Sequence, residues 1–134
     1  MNLYNLTLQH PTAITCAAAG RFTSPNANEI LLVREHLLEI IQIDSKGIPK
    51  TVAFTNVFGI IRDIGLFHLV GLYSFKNFST ILHVIKSIGQ KRDSIMIGSD
   101  SGKMTILEYS TEKERLIPLF NETVGRTGCR RIIP

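Results

Sequence analysis

Short apolar runs recur along the chain, separated by clusters of turn-forming residues at roughly eight- to twelve-residue intervals. Leu3 to Leu8 reads as a first strand, with Leu6 and Leu8 alternating against Asn5 and Thr7, and His10-Pro11 breaks it because proline cannot donate to a ladder. Ala13 to Ala19 is a second strand candidate. Its alanines also suit a helix, but it is short for one. Arg21 to Asn28 reads as a loop turning at Ser24-Pro25-Asn26. Glu29 to Arg34 and His36 to Ile43 follow as strands joined by a short connection. Asp44-Ser45-Lys46-Gly47 is a turn, and Thr51 to Phe54 begins the next strand. Val57 to Phe67 reads as a strand pair or one long bent strand, with Gly59 and Gly65 marking bends or bulges. The rival for Glu29 to Ile43 is a helix carrying Ile30, Val33, Leu37 and Ile41 on one face. The strand spacing predicts an all-β fold, sandwich or propeller, although no strict internal repeat and no Trp-Asp dipeptide are present.

The stretch from Asp93 to Tyr109 organises the rest. Ser94 to Ile97 and Lys103 to Tyr109 are two strands around Gly98-Ser99-Asp100-Ser101-Gly102. Glycine reaches positive φ without steric cost, and Ser and Asp bond their own backbone, so this segment predicts a sharp reversal. The imperfect alternation from Lys103 to Tyr109 predicts a strand covered on both faces. A phosphate-binding reading of G-S-D-S-G fails. The spacing of a Walker loop is missing, and a strand follows where a helix N-terminus would be needed.

Composition narrows the classes. An apolar fraction of 44% with 19% charged residues is that of a globular chain. The net charge of +4 permits nucleic acid nearby without arguing for it. Cys16 and Cys129 stand far apart without a metal motif, and read as reduced thiols of an intracellular protein. Met1 to Gln9 alternates instead of forming an apolar block, so no secretory leader is expected.

Four segments carry a family resemblance, in the family's order. They are Met1 to Gln9 (M-N-L-Y-N-L-T-L-Q), Asn56 to Arg62 (N-V-F-G-I-I-R), the Asp93–Tyr109 hairpin, and Gly125 to Pro134 (G-R-T-G-C-R-R-I-I-P). Together they resemble the start of the splicing-factor-3b branch of a family of large multi-propeller scaffolds. That family also holds the large damaged-DNA-binding subunit and the largest cleavage-and-polyadenylation specificity subunit. The resemblance implies a partial β-propeller, the first blades of an N-terminal propeller domain spanning residues 1–134. It implies a nuclear, non-enzymatic scaffold in branch-site recognition during pre-mRNA splicing. Its partners would be the other subunits of the splicing factor 3b complex, a helical-repeat subunit and small subunits, with RNA contacted indirectly. It implies no cofactor, no membrane and no small-molecule substrate. The alternative is a nucleic-acid-binding propeller of the damaged-DNA or polyadenylation type.

The match is interrupted at residues 71–88, G-L-Y-S-F-K-N-F-S-T-I-L-H-V-I-K-S-I. Phe75, Phe78, Leu82 and Ile85 would share a helix face, which predicts a short amphipathic helix in an apolar insert. Lys76, His83 and Lys86 argue against a membrane span. An added strand and translated intron sequence are the other readings. The resemblance favours the intron, because the remainder fits without the segment. The family would continue beyond Ile133-Pro134, so the chain is expected to be a fragment or truncated product.

Candidate chemistry is sparse. His10, His36, His68 and His83 lie on separate segments without metal-ligand spacing, and read as surface or loop residues. Glu108, Glu112 and Glu114 with Lys113 and Arg115 read as a solvated acidic turn. Cys129 beside Arg130 and Arg131 reads as structural, for want of a histidine motif. Arg126, Arg130 and Arg131 are the candidate contact for a partner surface or RNA. Their plain reading is charge that keeps strand edges soluble.

Overall fold

The computed structural model describes residues 8–67 and 92–125. The expectations for Leu3 to Thr7 and for 71–88, and those for His68, His83, Arg126, Cys129, Arg130 and Arg131, lie outside the described residues. Eight strands follow one another: β1 (Cys16–Gly20), β2 (Glu29–Arg34), β3 (Leu37–Ile43), β4 (Pro49–Asn56), β5 (Ile61–Phe67), β6 (Ser94–Ser99), β7 (Lys103–Ser110) and β8 (Arg115–Thr123). They form two four-stranded antiparallel sheets in the orders β1-β2-β3-β4 and β5-β6-β7-β8. Each is a meander of sequential strands, the form of a propeller blade. The sheets meet face to face with like strands opposed, β1 beside β5 and β4 beside β8.

Strand, not helix, is the outcome for both ambiguous segments. Glu29–Arg34 pairs with Leu37–Ile43 across a Glu35-His36 turn, in which Glu35 takes φ 56°. The β-branched and leucine-rich runs on either side alternate with period two, so pairing buries one side of each strand. The expected turn at Asp44 is present. Its Oδ1 accepts the N–H groups of Lys46 and Ile48, each at 2.8 Å, and Gly47 takes φ 79°. Ser24 to Ala27 closes the other expected turn, Ala27 N–H donating to Ser24 C=O at 3.2 Å.

Two expectations are corrected, and one strand was not foreseen. Val57 to Phe67 is neither a strand pair nor a long bent strand: residues 57–60 are a connection, and only Ile61–Phe67 pairs. Gly65 sits in regular register opposite Met96, while the irregularity falls at Arg62. The strand Arg115–Thr123 is not called for by pattern, because Pro118 interrupts it. Pro118 is accommodated at a bulge opposite Leu107 on the sheet edge, where no ladder donor is missed.

The core lies between the blades. Leu31, Val33, Leu38, Ile40 and Ala53 of the first meet Ile61, Ile95, Ile97, Leu107, Tyr109 and Leu116 of the second, and all are buried. Phe22 joins them from the loop after β1. Its position is set by Glu29, which is 2% exposed. The Glu29 Oε2 accepts the N–H groups of Phe22 at 2.8 Å and Thr23 at 2.9 Å, and Oε1 accepts the Thr23 hydroxyl. The ring then occupies the space a side chain at position 20 would need, since a Cβ on Gly20 would stand 2.6 Å from the Phe22 Cζ and 3.1 Å from a Leu66 methyl.

The opposite face of the first blade is also apolar. In register there are Ala17 with Leu32, Ala19 with Ile30, Ile30 with Ile41, and Glu39 with Phe54. Ala17, Ala19 and Phe54 are exposed, Phe54 at 65%. Polar side chains there meet one another, although Arg34 Nε is buried without a hydrogen-bond partner. Arg34 Nη2 lies 3.1 Å from Glu39 Oε2, and Thr51 donates to Glu39 Oε1 at 2.6 Å. Such a face is a sticky surface unless another sheet covers it.

Two outcomes follow. Glu29→Ala leaves two buried N–H groups without an acceptor and is expected to cost about 2–4 kcal/mol, with Glu29→Gln costing less and Gly20→Val costing about 1–3 kcal/mol by overpacking. Equilibrium urea unfolding followed by far-ultraviolet circular dichroism checks the ranking, and a midpoint for Glu29→Ala equal to the parent's would refute the clamp. The chain expressed alone is expected to self-associate at micromolar concentration through the Phe54 face, and Phe54→Lys to reduce this in sedimentation velocity. A monomeric parent would refute it.

Candidate functional site

Strand direction decides what gathers at each end of the blades. The turn at 35–36, the connection 57–60, the turn at 100–102 and residues 124–125 all lie at one end. This places the Asn56–Arg62 segment against the G-S-D-S-G turn, two motifs that are far apart in sequence. Asp100 N–H donates to Ile60 C=O at 2.9 Å, and Ile60 N–H returns to Asp100 Oδ1 at 2.7 Å. Asp100 Oδ2 stands 3.8 Å from Arg62 Nη2. The connection is also tied to the first blade, with Val57 N–H donating to His36 C=O and Ile61 N–H to Glu35 C=O, each at 2.8 Å.

The turn itself is built by its short polar residues. Gly102 N–H donates to Ser99 C=O at 3.2 Å, Gly102 takes φ 75°, and the Ser99 and Ser101 hydroxyls are 2.7 Å apart. Gly59 takes φ 90°, and a Cβ there would stand 2.8 Å from Asp100 Oδ1 and 3.1 Å from the Ser101 side chain. Glycine is therefore required at 59 on two counts, conformation and space. Gly102 C=O in turn accepts Val124 N–H at 2.9 Å and Gly125 N–H at 3.4 Å, so the chain leaves β8 at this same end.

Exposed side chains crown the clip. Phe58 is 73% exposed, Val124 64% and Ile60 40%. Lys103 Nζ lies over the Phe58 ring, 4.8 Å from its centroid. The result is an exposed aromatic ring and aliphatic groups beside a cation, a surface of mixed chemistry. Sequence reading missed it. Phe58 and Lys103 sit in the two motifs singled out, but nothing local signals that they touch.

The opposite end serves the fold. Arg21 N–H donates to Asp93 Oδ2 at 2.8 Å, and Asp93 N–H donates to Arg21 C=O at 2.7 Å. Arg92 donates from Nη1 to Thr23 C=O at 3.4 Å and to Tyr109 C=O at 3.2 Å. Its Nη2 stands 3.6 Å from Glu108 Oε1, both side chains being largely buried. Glu108 thus holds, within the second blade, the arginine that reaches across to Thr23, and does not belong to the acidic turn, where Glu112 and Glu114 remain exposed. The predicted basic contact at Arg126, Arg130 and Arg131 lies outside the described residues. His10 and His36 stand on separate segments. No group of three or more His, Cys, Asp or Glu is placed to hold a metal among the described residues, and none of their helices is long and apolar enough to cross a membrane.

Gly59→Ala is expected to cost about 1–3 kcal/mol through its positive φ and the Asp100 contact. Asp100→Ala is expected to cost about 1 kcal/mol, the site being part-exposed. The two should be less than additive, because removing the Asp100 carboxylate relieves part of the Gly59→Ala clash. A double-mutant cycle in urea checks this, and strict additivity would show that the clip does not form.

Comparison with known proteins agrees with this geometry. A family model described as "RSE1/DDB1/CPSF1 first beta-propeller" matches residues 13–134. "Probable splicing factor 3B subunit 3" of Dictyostelium discoideum is 40% identical over 134 residues, covering the whole chain and 9% of that protein. "Splicing factor 3B subunit 3" of Drosophila melanogaster is 40% identical over 135 residues, covering the whole chain and 10% of that protein. "Pre-mRNA-splicing factor prp12" of Schizosaccharomyces pombe is 34% identical over 133 residues, covering 98% of the chain and 10% of that protein. The chain spans about a tenth of the length of these curated relatives. Two four-stranded meanders packed face to face, and a match over nearly the whole chain, place it plainly: it belongs to the RSE1/DDB1/CPSF1 first beta-propeller family.

Proposed function

We propose that the chain is part of the first propeller of a non-enzymatic scaffold subunit in pre-mRNA splicing. The carrying observation is that one stretch matches the first-propeller family and is 34–40% identical to proteins named as splicing factors in three organisms. The architecture suits this role. Two blades clipped at both ends form a stiff platform, and side chains raised on its turns can be presented to a partner without an ordering cost. A propeller has typically four to eight blades around a channel. In this reading the two described blades form part of a larger ring. The apolar face bearing Ile30, Leu32, Ile41 and Phe54 is where a neighbouring blade would sit.

In this reading the protein acts in the nucleus, within the splicing factor 3b assembly that recognises the intron branch site. A helical-repeat subunit and small subunits are its partners. The mechanism is positioning: a rigid ring holds loops in fixed places, and no bond is made or broken. The test is affinity purification of the tagged full-length gene product from nuclear extract, with and without ribonuclease. Recovery of splicing factor 3b subunits in both arms is the expected result. Their absence overturns the reading. Binding to nucleic acid that weakens steeply with salt, without those subunits, would favour a nucleic-acid-binding propeller instead.

A further inference from the structure

Among the described residues, the Phe58 patch is apolar surface that neither the core nor a neighbouring blade's face accounts for. We propose that it is a docking site for a protein segment carrying an apolar side chain next to a carboxylate, and this rests on the scaffold reading above. Phe58 is 73% exposed although it lies on a connection pinned at Val57, Ile60 and Ile61 by backbone hydrogen bonds. Its own C=O accepts the Ser101 hydroxyl at 3.5 Å. The ring is thus held out in a fixed place, and the ordering cost of binding is small. Val124 is 64% exposed and follows Thr123, the register partner of Lys103. Ring, ammonium and isopropyl group therefore sit on adjoining backbone positions at one end of the sheets.

Charge selects the partner. Lys103 forms no ion pair among the described residues, and its ammonium rests on the Phe58 ring, 4.8 Å from the centroid. The nearest turn carboxylate, Asp100, is committed to Ile60 N–H and to Arg62. An incoming carboxylate would pair with Lys103 while an aliphatic or aromatic neighbour covered Phe58 and Val124. A nucleic acid fits less well. Phe58, Val124 and Ile60 are exposed apolar groups that a phosphate backbone would leave uncovered.

The test uses the full-length gene product in cells, with p-benzoylphenylalanine in place of Phe58. After irradiation and tagged purification, the adduct is mapped by mass spectrometry. The expected adduct is a protein segment with an apolar residue within a few positions of Asp or Glu. Lys103→Glu should lower adduct yield by roughly tenfold, as loss of one charge-assisted contact implies, Val124→Asp should lower it by setting a carboxylate against the incoming one, and Lys103→Arg should preserve it. Co-purification of splicing subunits should stay unchanged in all three. An adduct on RNA, an adduct on a basic or uncharged segment, or no adduct while the splicing subunits are recovered overturns the docking site and leaves the scaffold reading standing. Failure of the unsubstituted protein to recover those subunits overturns the scaffold reading, and the adduct's composition then decides the docking site separately.

Discussion

A four-stranded sheet with two apolar faces cannot stand in water uncovered, and that requirement governs this molecule. Leu31, Val33, Leu38 and Ile40 from one blade and Ile95, Ile97, Leu107 and Tyr109 from the other bury one another in a single layer. Each blade supplies half a core. The glycine at position 20 and the ring of Phe22 show how closely the halves are fitted, because the ring fills the space that a side chain on the glycine would take. A buried carboxylate, Glu29, holds the ring there by accepting two backbone N–H groups that burial would otherwise leave unsatisfied. Apolar packing supplies the drive, and one polar clamp sets the register of the loop that completes it.

Apolar faces alone would let the sheets slide or rotate. The ends prevent this. Ile61 N–H donates across to Glu35 C=O of the first blade at one end, where Asp100 holds Ile60 in place, and Arg21 and Asp93 exchange two hydrogen bonds at the other. Arg92 adds bonds to both blades at the second end. Directional bonds at both ends convert a non-directional attraction into one geometry. This is the property a scaffold needs, since a partner-binding loop is useful only where its position is fixed.

The same economy explains where function can lie. Among the described residues, the interior and the Arg92 end are committed to the fold. The first blade's outer face has the character of a surface awaiting another sheet. The Phe58–Lys103–Val124 crown is different in kind: small in area, mixed in chemistry and raised on a rigid clip. Binding energy in protein interfaces concentrates at such aromatic and charged anchors, with the surroundings serving mainly to exclude water.

Turn spacing and the family resemblance placed β2, β3 and β7 as strands where alternation alone left a helix open for Glu29 to Ile43, and the turns at Asp44 and Ser99–Gly102 were legible from residues that bond their own backbone. The family was legible in short motifs. The strand β8 was not, because Pro118 signals a break, and only a bulge at a sheet edge makes it tolerable. Glu108 was assigned to an acidic turn by its neighbours in sequence, but its partner is Arg92, brought close by the β6–β7 pairing. Phe58 and Lys103 likewise meet only when the connection between blades is clipped to the hairpin turn. Strand, turn and family follow from interactions within a few residues, which sequence order preserves. The inter-blade core, the clips and the exposed crown depend on which face of one blade meets the other, and that is decided only when the two sheets pack.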